Sequence, residues 1–135
     1  MKIQSIRLIA FSLLTFTALQ ADELNTTTDA PSPATWTTLE KQSKELAADI
    51  QAQDVHPIHK IDHAVTDETA ALQKSAPPLP ADQKKKLDAL CADMAKHVHQ
   101  AHLDGHASKW SDAAAAQKQF AADLQEAEAI APSLK

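Results

Sequence analysis

Residues 73–80 of this chain are QKSAPPLP, and their prolines decide the fold. Proline has a fixed φ and no backbone N–H, so Pro77, Pro78 and Pro80 stop a helix and force an extended turn. On both sides of this turn apolar residues recur every three or four positions, which is the pattern of one helix face. The sequence therefore predicts two helices joined at this point.

The same helical period extends over the rest of the chain. Short links between segments of similar length make neighbouring helices antiparallel. We therefore predict an all-α fold, an up-down-up-down antiparallel four-helix bundle over residues 35–132. The four predicted segments are residues 35–53, 57–75, 80–105 and 108–132.

The composition excludes the other common fold classes. Gly occurs once, at Gly105, Tyr is absent and aromatic residues make up 4% of the chain. A β-sandwich or barrel needs turn glycines and β-branched or aromatic strands, and a doubly wound nucleotide-binding fold needs glycine-rich turns. We expect Gly105 to end the third helix in the left-handed conformation, and Ser108 to cap the fourth.

The start of the chain has the features of an export signal. Lys2 and Arg7 precede the apolar stretch Leu8–Leu19, and Ala21 offers a cleavage point before acidic residues. Twelve apolar residues are too few to span a bilayer, which needs about 20. We therefore predict a signal peptide over residues 1–21, a disordered polar leader over residues 22–34, and a periplasmic or secreted protein with no membrane span after cleavage.

The charge of the exported part excludes one class of partner. Without Lys2 and Arg7 the chain has 11 Lys and no Arg against 18 Asp and Glu, a net charge of −7 with neutral His. An acidic domain that lacks Arg is a poor binder of phosphates and base edges, so we expect no nucleic-acid partner. A negative field favours cations, including metal ions.

The histidines fall into two short windows, one at the start of the second helix and one at the end of the third. Each window contains three histidines spaced i, i+3, i+7, which places them along one helix face. Neutral imidazole is a ligand for Cu, Zn, Ni and Co, so we interpret all seven as candidate metal ligands. They are His56, His59, His63, His97, His99, His102 and His106.

The proline turn is expected to bring the two windows to one end of the bundle. If the helices are placed symmetrically about the turn, His56 faces His102 and His59 faces His99. Helical-wheel angles put both rows on the flanks of their helices, where they point toward each other or apart according to the handedness of the bundle. Nearby carboxylates that can complete a metal shell are Asp54, Asp62 and Asp104.

The layout resembles that of the soluble cytochrome b562 family of exported four-helix bundles. The loop QKSAPPLP resembles the mid-bundle loop of that family, and Gly105 lies where a short loop precedes its last helix. The resemblance implies the bundle and the periplasm. The family binds haem through a Met on the first helix and a His on the last, and here the first segment has no Met and the fourth no His. The sequence therefore argues against that family's haem site, and a haem-binding bundle of the b-type cytochrome kind is kept as the third-ranked function.

Three other interpretations stay open. The chain can be a structural or interaction bundle that contacts an envelope protein and has no physiological ligand. The histidines can form a pH sensor, because free imidazole titrates at about pH 6.5. Cys91, Met94 and His97 are spaced for Cu(I), although core packing also explains the first two. We find no nucleophile elbow, zinc-protease motif or phosphate loop, so we predict that the protein is not an enzyme.

Overall fold

Four α-helices account for most of the chain that the structure describes. The structure is a computed structural model, and it describes residues 36–134. No strand occurs within that range, so the all-α prediction is confirmed. The predicted signal peptide (residues 1–21) and leader (residues 22–34) lie outside the described residues. The helices are α1 (Trp36–Ala52), α2 (Val55–Ser75), α3 (Ala81–His106) and α4 (Trp110–Ile130).

The helices pack in a manner compatible with a four-helix bundle. α1 packs against α2 and α4, and α3 packs against the same two helices. The predicted apolar stripes form one continuous core, whose largest fully buried side chains include Trp36, Leu39, Ile58, Met94 and Phe120. Burying each such side chain stabilises the fold by about 1.5–3 kcal/mol. None of the helices between residues 36 and 134 combines the length and the apolar content needed to cross a bilayer.

Trp36 fastens the start of α1 to the end of α4. Its indole Nε1–H donates to the carbonyl of Ala131 at 2.7 Å, and its backbone N–H donates to the carbonyl of Leu134 at 3.2 Å. The ring itself is fully buried. A buried indole with a satisfied N–H combines a large apolar contact with a directional bond, so this contact fixes how α1 lies against α4.

Two helices end in a Schellman motif. After α1, Gln53 has φ 57°, its N–H donates to Ile50, and the next N–H, of Asp54, donates to Asp49. After α3, Ser108 has φ 57° and its N–H donates to Gly105. These bonds satisfy carbonyls that the helix itself leaves free.

The prediction that Gly105 ends α3 in the left-handed conformation is wrong. Gly105 is helical and buried, and the left-handed residue is Ser108, which was expected to cap α4. A Cβ at Gly105 would lie 3.3 Å from the Trp110 ring and 3.6 Å from the Val55 side chain. Glycine is therefore placed here because the first residues of α2 and α4 pack closely against α3.

Gln53 provides a test of the left-handed helix end. A non-glycine residue in that conformation costs about 1–2 kcal/mol that glycine does not incur. Gln53→Gly should therefore raise the free energy of unfolding by about 1 kcal/mol, measured by urea denaturation. Gln51→Gly is the matched control, because Gln51 is exposed and helical, and there the change should lower stability by up to about 1 kcal/mol. A loss of stability in both variants would contradict the assignment.

Candidate metal centre

The two histidine windows meet at the contact between α2 and α3. His59 Nδ1 lies 3.3 Å from His102 Nε2, and the two ring centroids are 4.9 Å apart. The flanks of the two helices therefore lean toward each other, which is one of the two arrangements that the helical-wheel angles allowed. His102 is 8% exposed, so contact with α2 buries it although it lies beside the core stripe of α3.

Asp62 on α2 is the centre of this contact. Its Oδ2 atom lies 2.9 Å from His102 Nδ1 and 3.0 Å from His99 Nδ1. The carboxylate is 7% exposed, because Ile61 and Val65 on the same face pack into the core. Asp62, His99 and His102 together offer ligand atoms within 4.8 Å of one another, and we call these three residues the Asp62 triad.

With Asp62 ionised, one arrangement of ring protons satisfies all three contacts. An ionised carboxylate only accepts, so both Nδ1 atoms donate to Asp62 Oδ2. The Nε2 atom of His102 then carries a lone pair, and it accepts from the Nδ1–H of His59. Asp62 thus orients His102, and His102 in turn orients His59. A carboxylate that holds imidazoles in this way is a common partner of histidine metal ligands.

Further imidazoles extend the cluster on both sides of the contact between His59 and His102. His63 lies against His59 with ring centroids 4.7 Å apart, and His106 lies against His102 at 4.8 Å. These distances follow from the i, i+4 spacing within each helix. Four imidazoles from two helices therefore lie in series, and one of them, His102, also belongs to the triad.

The pairing along the two helices differs from the symmetric expectation. His59, not His56, contacts His102, and Asp62, not His59, contacts His99. Compared with the symmetric expectation, the pairing of α2 with α3 is displaced along the helices by nearly one helical turn. It is set by core packing and by a hydrogen bond from Gln73 Nε2 to the Asp88 carbonyl at 3.0 Å, rather than by symmetry about the prolines.

The structure separates His97 from the other histidines of α3. Its Nε2 lies 3.3 Å from Asp123 Oδ2 on α4. Burial raises the pKa of Asp123, and nearby His97 opposes that effect. His97 precedes His99 by two residues, which places it on the opposite side of the helix. The spacing of two residues between His97 and His99 therefore already indicated, in the sequence, that the two side chains lie on different sides of α3.

Two of the three carboxylates predicted near the site have other partners. Asp54 is the N-cap of α2 and accepts from the backbone N–H of His56 at 3.0 Å. This cap explains why α2 begins at Val55 rather than at Pro57. Asp104 accepts from Gln100 Nε2 at 3.0 Å. Asp62 alone of the three enters the cluster, and it is central to it, whereas the sequence predicted it only as one of three carboxylates that could complete a metal shell.

Cys91 and Met94 belong to the core. Both side chains are almost fully buried, and burial raises the pKa of the Cys91 thiol to about 11. His97, the third member of the Cu(I) interpretation, contacts α4. The geometry therefore favours packing as the role of Cys91 and Met94.

Comparison of the chain with protein-family models, with curated proteins and with solved structures found no match.

Asp62 should contribute to folding even without an ion. Asp62→Ala removes the acceptor of two imidazole N–H groups, one of them on buried His102, and an unmet buried donor costs about 1–3 kcal/mol. We expect a loss of that size in urea denaturation with chelator present. Asp67→Ala, on the exposed face of the same helix, is the control and should change stability by less than about 0.5 kcal/mol. Equal effects would contradict the proposed hydrogen bonding.

The core position of Cys91 predicts slow thiol chemistry. A protonated, buried thiol is a poor nucleophile, because the thiolate is the reactive form. A chromogenic disulfide reagent should leave the folded protein nearly unmodified at neutral pH and modify one thiol per chain in denaturant. Rapid modification of the folded protein would show that Cys91 is accessible.

Proposed function

We propose that this protein binds a transition-metal ion at the Asp62 triad and serves to buffer, sequester or deliver it. Asp62, His99 and His102 supply one carboxylate oxygen and two imidazole nitrogens. Mixed nitrogen and oxygen ligands suit Zn, Cu, Ni and Co, whereas Mg and Ca prefer oxygen alone. An ion bound here takes the place of the protons on the two Nδ1 atoms, and each neutral ring then carries its proton on Nε2.

One observation carries the proposal: two imidazoles converge on a single buried carboxylate oxygen, at 2.9 and 3.0 Å. Surface histidines that serve only for solubility have no reason to share such a partner. The three residues come from two helices, so the fold itself assembles the ligand set. The negative charge of Asp62 offsets part of the charge of a bound cation in a partly buried position.

The exposure of the triad favours reversible binding. His102 and Asp62 are buried, whereas the His99 side chain is 60% exposed. Three protein ligands leave an open coordination position, as in zinc sites that exchange ligands. An ion held here is reachable by a competing ligand, which suits buffering or delivery.

We infer that the four helices alternate in direction, as the sequence predicts. Contacts between α2 and α3 support this topology, since Asp62 pairs with His99 and Gln73 pairs with Asp88. Contacts between α1 and α4 follow the same rule, because Ser43 meets Gln117 while Trp36 meets Ala131. In both pairs a later residue on one helix meets an earlier residue on the other.

We also propose that the protein acts outside the cytoplasm and binds rather than catalyses. The export signal over residues 1–21 supports that location. An imidazole-based site is suited to an exported protein, because it needs no reduced thiol. The resemblance to cytochrome b562 concerns layout, and the proposed ligand here is an ion rather than haem.

Calorimetric titration with Zn²⁺ tests the proposal. The wild-type protein should bind one ion with micromolar or tighter affinity. Asp62→Ala and His102→Ala should each weaken that tight event by more than about tenfold, since each removes a ligand. His97→Ala is the matched control, because it deletes an imidazole of the same helix that lies outside the triad, and it should bind as the wild type does.

Thermal melting distinguishes this function from that of an interaction bundle without a ligand. A specific ion stabilises the folded state by about 2.7 kcal/mol at a free concentration 100 times its Kd. The wild type should therefore melt at a higher temperature with Zn²⁺ than with chelator, and Asp62→Ala should show a much smaller difference. Identical melting of the wild type in both conditions would reject the metal site and favour the interaction bundle.

A further inference from the structure

An open hollow lies beside the Asp62 triad. Its volume is about 550 Å³, and its lining residues are Val55, His56, His59, Lys60 and His106. Three of these five residues are histidines, and they come from both α2 and α3. All three are exposed, so their rings can rotate toward an ion with little loss of packing.

His59 connects this hollow with the triad. It lines the hollow, and its Nδ1 atom also lies 3.3 Å from His102 Nε2. Two nitrogen ligands of a tetrahedral ion with bonds of 2.0–2.1 Å are themselves about 3.3 Å apart. An ion can therefore bridge His59 Nδ1 and His102 Nε2 without movement of either helix, once His59 carries its proton on Nε2. From there the ion passes to the other edge of the His102 ring, where Nδ1 faces Asp62.

We propose that the hollow is a second, outer position for a divalent transition-metal ion, held by His56, His59 and His106, and that the ion passes between this position and the Asp62 triad through His59 and His102. This inference rests on the proposed function of the triad. It adds a site that the triad does not include and a path by which the inner ion enters and leaves.

Charge makes the outer position the weaker one. The inner position contains the carboxylate of Asp62, which attracts a cation. The hollow is lined by Lys60, whose positive charge repels one. At equal distance from the ion, the Coulomb energies of Asp62 and Lys60 have opposite sign. An ion that enters the hollow is therefore held briefly before it moves to the triad. On its way out the ion passes through the hollow again, where a competing ligand in solution removes it.

The double variant His56→Ala/His106→Ala tests the outer position, because it leaves His59 and the triad intact. In titrations with Zn²⁺ the wild type should show a tight event followed by a weaker second one, and the double variant should lose the weaker event. Transfer of zinc from the protein to a chromogenic chelator should become slower in the variant. The Kd of the tight event should stay the same, since loss of a path slows entry and exit by the same factor.

Two controls accompany this experiment. Far-ultraviolet circular dichroism should show unchanged helix content, since both replaced side chains are exposed. His97→Ala removes an imidazole that contacts α4 instead of the hollow, and it should change neither the weaker event nor the transfer rate. Asp62→Ala should retain the weaker event while it loses the tight one.

The outcomes separate the two proposals. A double variant that keeps the weaker event, or that transfers zinc at the wild-type rate, overturns the outer position and leaves the triad untouched. A wild-type protein without any tight event, or an Asp62→Ala variant that keeps it, overturns the triad and the outer position that depends on it.

Discussion

The arrangement of the histidine site depends on one oxygen atom. Asp62 Oδ2 accepts hydrogen bonds from two imidazoles of the neighbouring helix, in a position that water hardly reaches. Burying a carboxylate is unfavourable unless its lone pairs are satisfied, and here two ring N–H groups satisfy them. Because both Nδ1 atoms donate to Asp62, the Nε2 atom of each ring is the one that keeps a lone pair. The chemistry of the site therefore depends on a contact between α2 and α3 that core packing brings into register.

Residues at the helix ends pack around this contact. Gly105 lets the Trp110 ring and the Val55 side chain approach α3 between His102 and His106. The left-handed Ser108 then reverses the chain within three residues, so α4 begins immediately beside the site. Because α2 also begins there, with Asp54 as its cap, three helix termini surround the imidazoles. The tight turn at Ser108 and the glycine at position 105 thus keep the histidine cluster close to the protein surface.

Local pattern predicted most of the fold and about half of the site. The apolar stripes that contain Leu39, Ile58, Leu87 and Phe120 are buried as expected. The spacing of apolar residues along a helix can be read from each segment alone. The left-handed residues Gln53 and Ser108 were not predictable from residue type, since glycine is the usual choice there. The sequence also left open whether the histidine flanks converge, because that depends on bundle handedness, which is a tertiary property. Asp62 was overlooked as the centre because a lone carboxylate near histidines resembles any solvated residue until the helices pair.

The contact of Trp36 with the far end of α4 gives the protein a built-in optical reference. The chain has two tryptophans and no tyrosine. Trp110 opens α4 beside Gly105, and Trp36 bonds to Ala131 just past the last residue of the same helix. A helix of 21 residues is about 30 Å long, so the two indoles are separated by nearly the full length of α4. Emission from one indole reports events among the imidazoles, while the other, remote from them, serves as an internal standard for quenching by a paramagnetic ion.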